Sequence, residues 1–145
     1  MEKQRALQQL EQLQKKLYAI HYACSAMNLD ADTVAPKNTS EGRGVALGVL
    51  AGEEQQLMIC PETRALLDEL DRQKDELDLL HRREVEELRR RCDQLTRIPA
   101  EEYIAYSELV NKAGDVWHKA KEKDDFAMFC PLLQLSLIHI SEPTR

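Results

Sequence analysis

Three histidines precede Gln134: His21, His81 and His118. A helical zinc hydrolase needs two histidines four residues apart, so that both face one metal while an intervening glutamate works on the bound water. None of the three has such a partner. His81 and Glu84 are spaced i,i+3, which one cation can bridge, but Val85 occupies the place where the inverted motif carries its second histidine. The pair is read as a surface histidine among charged neighbours. Cys24, Cys60, Cys92 and Cys130 lie more than thirty residues apart, without the close spacing of a zinc knuckle or a redox dithiol, and no local signature pairs one with a histidine as nucleophile and base. Gly42-Arg43-Gly44 lacks the rest of a phosphate loop. Arg89-Arg90-Arg91 follows Glu84, Glu86 and Glu87, which makes a self-paired, solvated face rather than a nucleic-acid patch. Asp30 and Asp32, beside Asn28 and Pro36, read as caps and turn formers rather than as acid and base. These patterns therefore yield no catalytic, cofactor-binding or metal-ligating residue.

The elements that would position such residues are helical. The chain has 145 residues, 5% aromatic and 32% charged, with only five glycines and five prolines. That composition suits long helices with solvated outer faces better than a β-sandwich, which needs aromatics, β-branched residues and many turns. The net charge of −6 opposes general binding to a phosphate backbone. No run approaches the ~20 apolar residues of a membrane span, and the opening Met-Glu-Lys-Gln-Arg is not an apolar signal segment. No nucleic-acid or membrane partner is expected, and the cysteines are expected as buried or half-buried thiols in the cytoplasm.

Leu10, Leu13, Leu17, Ile20, Cys24 and Met27 alternate spacings of three and four, which places them on one stripe of a first helix over about 2–27. Residues 28–44 carry loop and capping chemistry. Ser40 or Thr39 caps a second helix to about Ile59, with Val45, Leu47, Val49, Leu50 and Leu57 as its apolar face. Gly44, Gly48 and Gly52 recur every four residues there. They fit either a close helix approach or a surface irregularity. Cys60-Pro61 opens a third helix ending near Gln73, because proline is tolerated in a first turn. A fourth, over about 75–96, turns Leu77, Leu80, Val85, Leu88, Cys92 and Leu95 inward. Its outer face and the third helix offer i,i+4 pairs at Asp68–Arg72, Glu86–Arg90 and Glu87–Arg91. Pro99 opens a fifth helix to about Lys123, with Tyr103, Tyr106, Leu109, Val110, Ala113, Trp117 and Ala120 inward. Asp124 or Asp125 then caps a short sixth element, broken or kinked at Pro131.

The final segment, Leu135–Arg145, reads LSLIHISEPTR. Residue for residue it is similar to the translation of a transposase adapter used in sequencing libraries. On that reading residues 135–145 are adapter-derived and disordered, His139 has no chemical meaning, and the natural protein continues past Gln134.

Two segments resemble the carboxypeptidase Taq family. Near its N-terminus that family carries a helix followed by a motif like Trp-Asp-x-Glu-Thr-x-Met-Pro. Here Leu29-Asp30-Ala31-Asp32-Thr33-Val34-Ala35-Pro36 matches at Asp30, Thr33 and Pro36 and departs at Leu29 and Ala35, with Asp32 a conservative replacement. Arg43 and Leu50-Ala51-Gly52 also fit. The second segment runs from Ile98-Pro99 through Trp117-His118-Lys119-Ala120-Lys121 to Asp125-Phe126-Ala127-Met128-Phe129-Cys130-Pro131-Leu132, with Lys121 where the family has arginine. The resemblance implies that residues 1–134 are the N-terminal, all-α part of a saddle-shaped, antiparallel helical metallopeptidase. It implies an enzyme, often a homodimer, that removes residues from the C-termini of peptide substrates with metal-activated water. In the family, zinc or cobalt sits on a His-Glu-x-x-His helix, beyond the residues matched here. No ligand therefore carries over, and this stretch is expected to be inactive alone. The stripes also fit a second reading: a small, coiled-coil-like helical interaction or scaffold protein.

Overall fold

The computed structural model describes residues 3–36 and 38–141, with side chains described to residue 137. Among the described residues there are helices and no strands, which bears out the all-α class. The helices are α1 (Lys3–Thr33), α2 (Ser40–Ile59), α3 (Pro61–Arg72), α4 (Leu79–Thr96), α5 (Ala100–Glu122) and α6 (Phe126–Ser141), with a 3-10 turn at Lys74–Glu76. No helix among the described residues is long and apolar enough to cross a membrane. The chain divides into two compact units, one of Met1–Tyr22 with Glu53–Arg97, the other of Ala23–Gly52 with Ile98–Arg145.

The first unit holds a conventional hydrophobic core. Leu10, Leu13 and Leu17 of the predicted α1 stripe are buried, whereas its Ile20, Cys24 and Met27 are only half-buried; buried with the three leucines are Ala6, Met58 of α2, Leu66, Leu67 and Leu70 of α3, Leu77, and Val85, Cys92 and Leu95 of α4. Gln55, fully buried, donates from Nε2 to the Leu95 carbonyl at 3.2 Å. α3 starts at Pro61, with Thr63 Oγ1 donating to the Leu57 carbonyl at 2.7 Å across the break between α2 and α3. α4 starts four residues later than its apolar pattern predicts. Asp78 adopts an extended backbone and accepts from the His81 N–H at 2.9 Å, so the N-cap falls there and the residues before it form a separate 3-10 turn. The shift splits the expected stripe: Leu77 is buried before the cap, whereas Leu80 is exposed.

In the second unit α2 lies close against α5, and the glycine stripe is the reason. A β-carbon on Gly44 would stand 3.0 Å from Asn111 Nδ2; one on Gly48 would stand 3.0 Å from Glu108 Oε1 and 3.3 Å from Ile104 Cγ2; one on Gly52 would stand 3.1 Å from Ile104 Cδ1. The recurrence every four residues is thus a close helix approach, not a surface irregularity. Turning the glycines toward α5 leaves Val45 and Val49 exposed, contrary to the expected apolar face; only Leu47 of that set is buried. α5 runs as Pro99 predicts, but Val110 and Trp117 are exposed and Ala120 is its only buried residue. Glu101 and Glu102 in its first turn, and Lys119 and Lys121 in its last, complement the helix dipole.

Three boundaries differ from the sequence pattern. α1 continues through Asn28, Asp30 and Asp32 to Thr33, because such residues lower helix stability by only tenths of a kcal/mol each and the first strong breaker is Pro36. Asn38 then takes a left-handed backbone, φ 71°, which asparagine tolerates. α6 accommodates Pro131 rather than breaking at it, losing one backbone hydrogen bond. It extends to Ser141, so the backbone expected to be disordered from Leu135 is helical that far. The side chain of His139, residues 142–145 and the expected start at Glu2 lie outside the described residues.

Candidate functional site

The candidate histidines each have a partner that explains their placement. His81 Nδ1 lies 2.8 Å from Asp78 Oδ2, so this histidine completes the α4 cap instead of reaching toward Glu84. The His81 backbone and ring hold the Asp78 carboxyl below its ordinary range. His118 on α5 meets Asp32 at the end of α1, Nε2 to Oδ1 at 3.3 Å, both exposed. Asp30 caps with its backbone carbonyl, which accepts from Val34 N and Ala35 N at 3.0 and 2.8 Å. Cys92 is buried and Cys24, Cys60 and Cys130 are half-buried, none of them in a disulfide. Cys60 Sγ sits 3.4 Å from both the Leu57 carbonyl and Thr63 Oγ1.

The arginine run is paired, though not at the expected i,i+4 spacings. Arg90 meets Glu87 at 2.5 Å, one turn away at i,i+3, and holds that carboxyl below its usual range. Arg89 reaches Asp68 of α3 and Arg91 reaches Glu54 of α2. Asp68 is thereby taken from Arg72, which pairs with Glu69 at 2.5 Å. Residues 89 and 91 face neighbouring helices, where a carboxylate on another helix outcompetes one on their own.

Two polar networks result that the sequence patterns do not single out. In the first unit the Glu54 carboxylate is buried, and its Oε1 accepts from Arg91 Nη2 and lies 3.0 Å from His21 Nε2. In the second unit the Arg43 side chain is only 10% exposed. It donates from Nε to Asn111 Oδ1 at 2.9 Å and from Nη2 to Asp115 Oδ1 at 2.8 Å. Asn111 Nδ2 in turn donates to the Ser40 carbonyl at 3.1 Å. The available signal was Asn111 and Asp115 four apart on one helix face, able to receive a guanidinium in fork geometry. Neither network contains a nucleophile with a base. A surface groove of about 830 Å3 in the first unit, lined by Arg5, Gln12, Lys16, Leu57, Cys60 and Thr63 among others, is open and converges no titratable groups on one point. Among the described residues no group of three or more His, Cys, Asp and Glu side chains could hold a metal ion.

What these elements build is a helical framework with a solved counterpart. The chain superposes with a TM-score of 0.84 and 30% identity on the structure titled BsuCP Crystal Structure, over 89% of this chain and 26% of that one. It belongs to the carboxypeptidase Taq (M32) metallopeptidase family, whose model matches residues 9–142. Carboxypeptidase 1 of Bacillus subtilis is 34% identical over 116 residues, and Thermostable carboxypeptidase 1 of Pyrococcus furiosus 30% identical over 119. These alignments cover 79% and 82% of this chain but only 23% and 24% of the relatives. The chain thus spans about a quarter of their length.

Within that family frame the matched residues act as caps and clamps. Asp125 Oδ1 accepts from the Met128 N–H at 3.3 Å and starts α6. Lys121, in place of the family's arginine, keeps its ammonium 5.1 Å from the centre of the Trp117 ring. Arg43 forms the buried clamp described above.

Proposed function

We propose that this chain is the N-terminal helical portion of a metallocarboxypeptidase that hydrolyses C-terminal residues from peptides. The observation that carries this reading is the family match over residues 9–142, supported by relatives named as carboxypeptidases. The family is one of metallopeptidases, and the described residues here do not fit a catalytic metal, since no suitable donor cluster is present among them. The metal, zinc or cobalt, then belongs to the part of the polypeptide that this chain does not span. The contribution of these residues is architectural: they contribute no catalytic, cofactor-binding or metal-ligating side chain, and they position helices around the reaction. Residues 135–145 are proposed to be adapter-derived, with α6 running on into them as far as Ser141. A cytoplasmic location and a homodimeric assembly complete the proposal.

The alternative of a coiled-coil-like scaffold would need the α1 stripe available to a partner. Leu10, Leu13 and Leu17 are instead buried within the first unit. Reading the source DNA past the codon for Gln134 tests the proposal. The expected result is a continuous frame with a His-Glu-x-x-His motif within the following few hundred codons. A stop codon soon after Gln134 would refute it.

A further inference from the structure

Apolar burial is divided unevenly between the two units. Among the described residues, twelve of the fourteen buried apolar side chains lie in the first unit, while the second has Leu47 and Ala120. Exposure runs the other way. Among the described residues before Leu135, eight of the twelve exposed large apolar residues lie in the second unit, among them Val45 and Val49 on α2, Val110 and Trp117 on α5, and Phe126 and Met128 on α6. Single exposed apolar residues are ordinary, but several helices of one small unit each presenting them is the mark of an interaction surface.

The second unit keeps its shape by means other than a core. Gly44, Gly48 and Gly52 let α2 approach α5, and Arg43, Asn111, Asp115 and the Ser40 carbonyl lock that approach with hydrogen bonds. Val45 and Val49 each follow a glycine of the stripe by one position, about 100° around the helix, so they face away from the α2–α5 contact. The clamp therefore holds an apolar face ready without burying it.

We infer that the second unit, as far as Gln134, is a docking face for the rest of a full-length carboxypeptidase Taq polypeptide, whereas the unit Met1–Tyr22 with Glu53–Arg97 folds around its own core. This rests on the proposed reading that the chain is part of a longer protein. The occupant is the covalent remainder rather than a second copy. Three quarters of the relatives' length lies outside the matched region, and a tethered segment competes at an effective concentration that a separate molecule does not reach.

Hydrogen–deuterium exchange read by mass spectrometry tests this. Residues 1–134 are measured alone at two concentrations, and the same residues are measured when continued into their full-length polypeptide. In the full-length protein, α5 amides should exchange on the order of a hundredfold more slowly than in the chain alone, while α3 and α4 amides change by about threefold or less. The slow exchange of α5 should not depend on concentration. Equal α5 protection in both forms would overturn the inference, and so would α5 protection in the chain alone that rises with concentration as a dimer forms. Exchange reads burial and not catalysis. A full-length protein that protects α5 but releases no C-terminal residues would refute the proposed function and leave the docking face standing.

Discussion

Replacing Gly48 with alanine, set against the same replacement at Gly114, isolates the close approach of α2 and α5. Both glycines lie inside helices, and no glycine among the described residues has positive φ. Alanine is therefore conformationally acceptable at both, and each replacement gains about 0.8–1 kcal/mol of helix propensity. Around Gly114 an added β-carbon meets nothing within 4 Å, so Gly114→Ala should keep the full gain. At Gly48 the β-carbon would meet Glu108 Oε1 at 3.0 Å, Glu108 Cγ at 3.1 Å and Ile104 Cγ2 at 3.3 Å. The Glu108 carboxylate can swing aside. Ile104 Cγ2 is bonded to a branched β-carbon and moves only with a stiff χ1. Overpacking of this kind costs about 1–3 kcal/mol, so Gly48→Ala should fall about 1–3 kcal/mol below Gly114→Ala. Gly52→Ala should lie between them, because its nearest neighbour is the mobile Cδ1 of Ile104 at 3.1 Å. Urea denaturation followed by far-ultraviolet circular dichroism measures the order. Gly48→Ala equal to or more stable than Gly114→Ala would refute the close-packing explanation.

Three further outcomes follow from the same structure. Arg91→Met leaves the buried Glu54 carboxylate with His21 alone and should destabilise by about 1–3 kcal/mol, less than for a fully buried pair because the Arg91 side chain is 36% exposed; the double variant Glu54→Gln, Arg91→Met should recover much of the loss in urea melts. The Asp78 carboxyl is depressed in the folded state by His81, so its contribution is present above the ordinary carboxylate range and lost as pH falls through the depressed value. Asp78→Asn, which keeps a capping oxygen but not the charge, should flatten that acid-side loss of α4 helicity in circular dichroism and lower stability near neutrality toward the acid-side level. Residues 1–134 expressed alone should bind a hydrophobic dye at the exposed face of the second unit, detectable by fluorescence; a dye-silent chain would contradict the burial argument.

Proline and short-range capping made much of the fold legible in the sequence. Pro61 and Pro99 fix the starts of α3 and α5 because each sets a helical φ and wastes no donor, and the Leu10–Leu17 stripe is the buried stripe of the first unit. Boundaries that depend on competition between weak terms were not legible. Asn28, Asp30 and Asp32 resemble a loop but do not end α1, and the Asp78 cap divides Leu77 from Leu80 although their spacing suits one helix face. The Glu54 and Arg43 networks unite residues at least 33 positions apart, which no local pattern reveals. Val45, Val49, Val110 and Trp117 were expected inward because apolar residues ordinarily are; that expectation assumes all packing partners are present. The chain spans 23% and 24% of its relatives, and under the proposed docking face the assumption does not apply to the second unit.

The central claim is that these residues frame a metal-dependent carboxypeptidase without contributing its metal site. The most direct measurement is mass spectrometry of a defined peptide incubated with the full-length polypeptide and, separately, with residues 1–134, each with and without a chelator. The account predicts stepwise loss of C-terminal residues with the full-length protein, abolished by the chelator, and an intact peptide with residues 1–134. Chelator-sensitive trimming by residues 1–134 alone, or an intact peptide with the metal-loaded full-length protein, would contradict it.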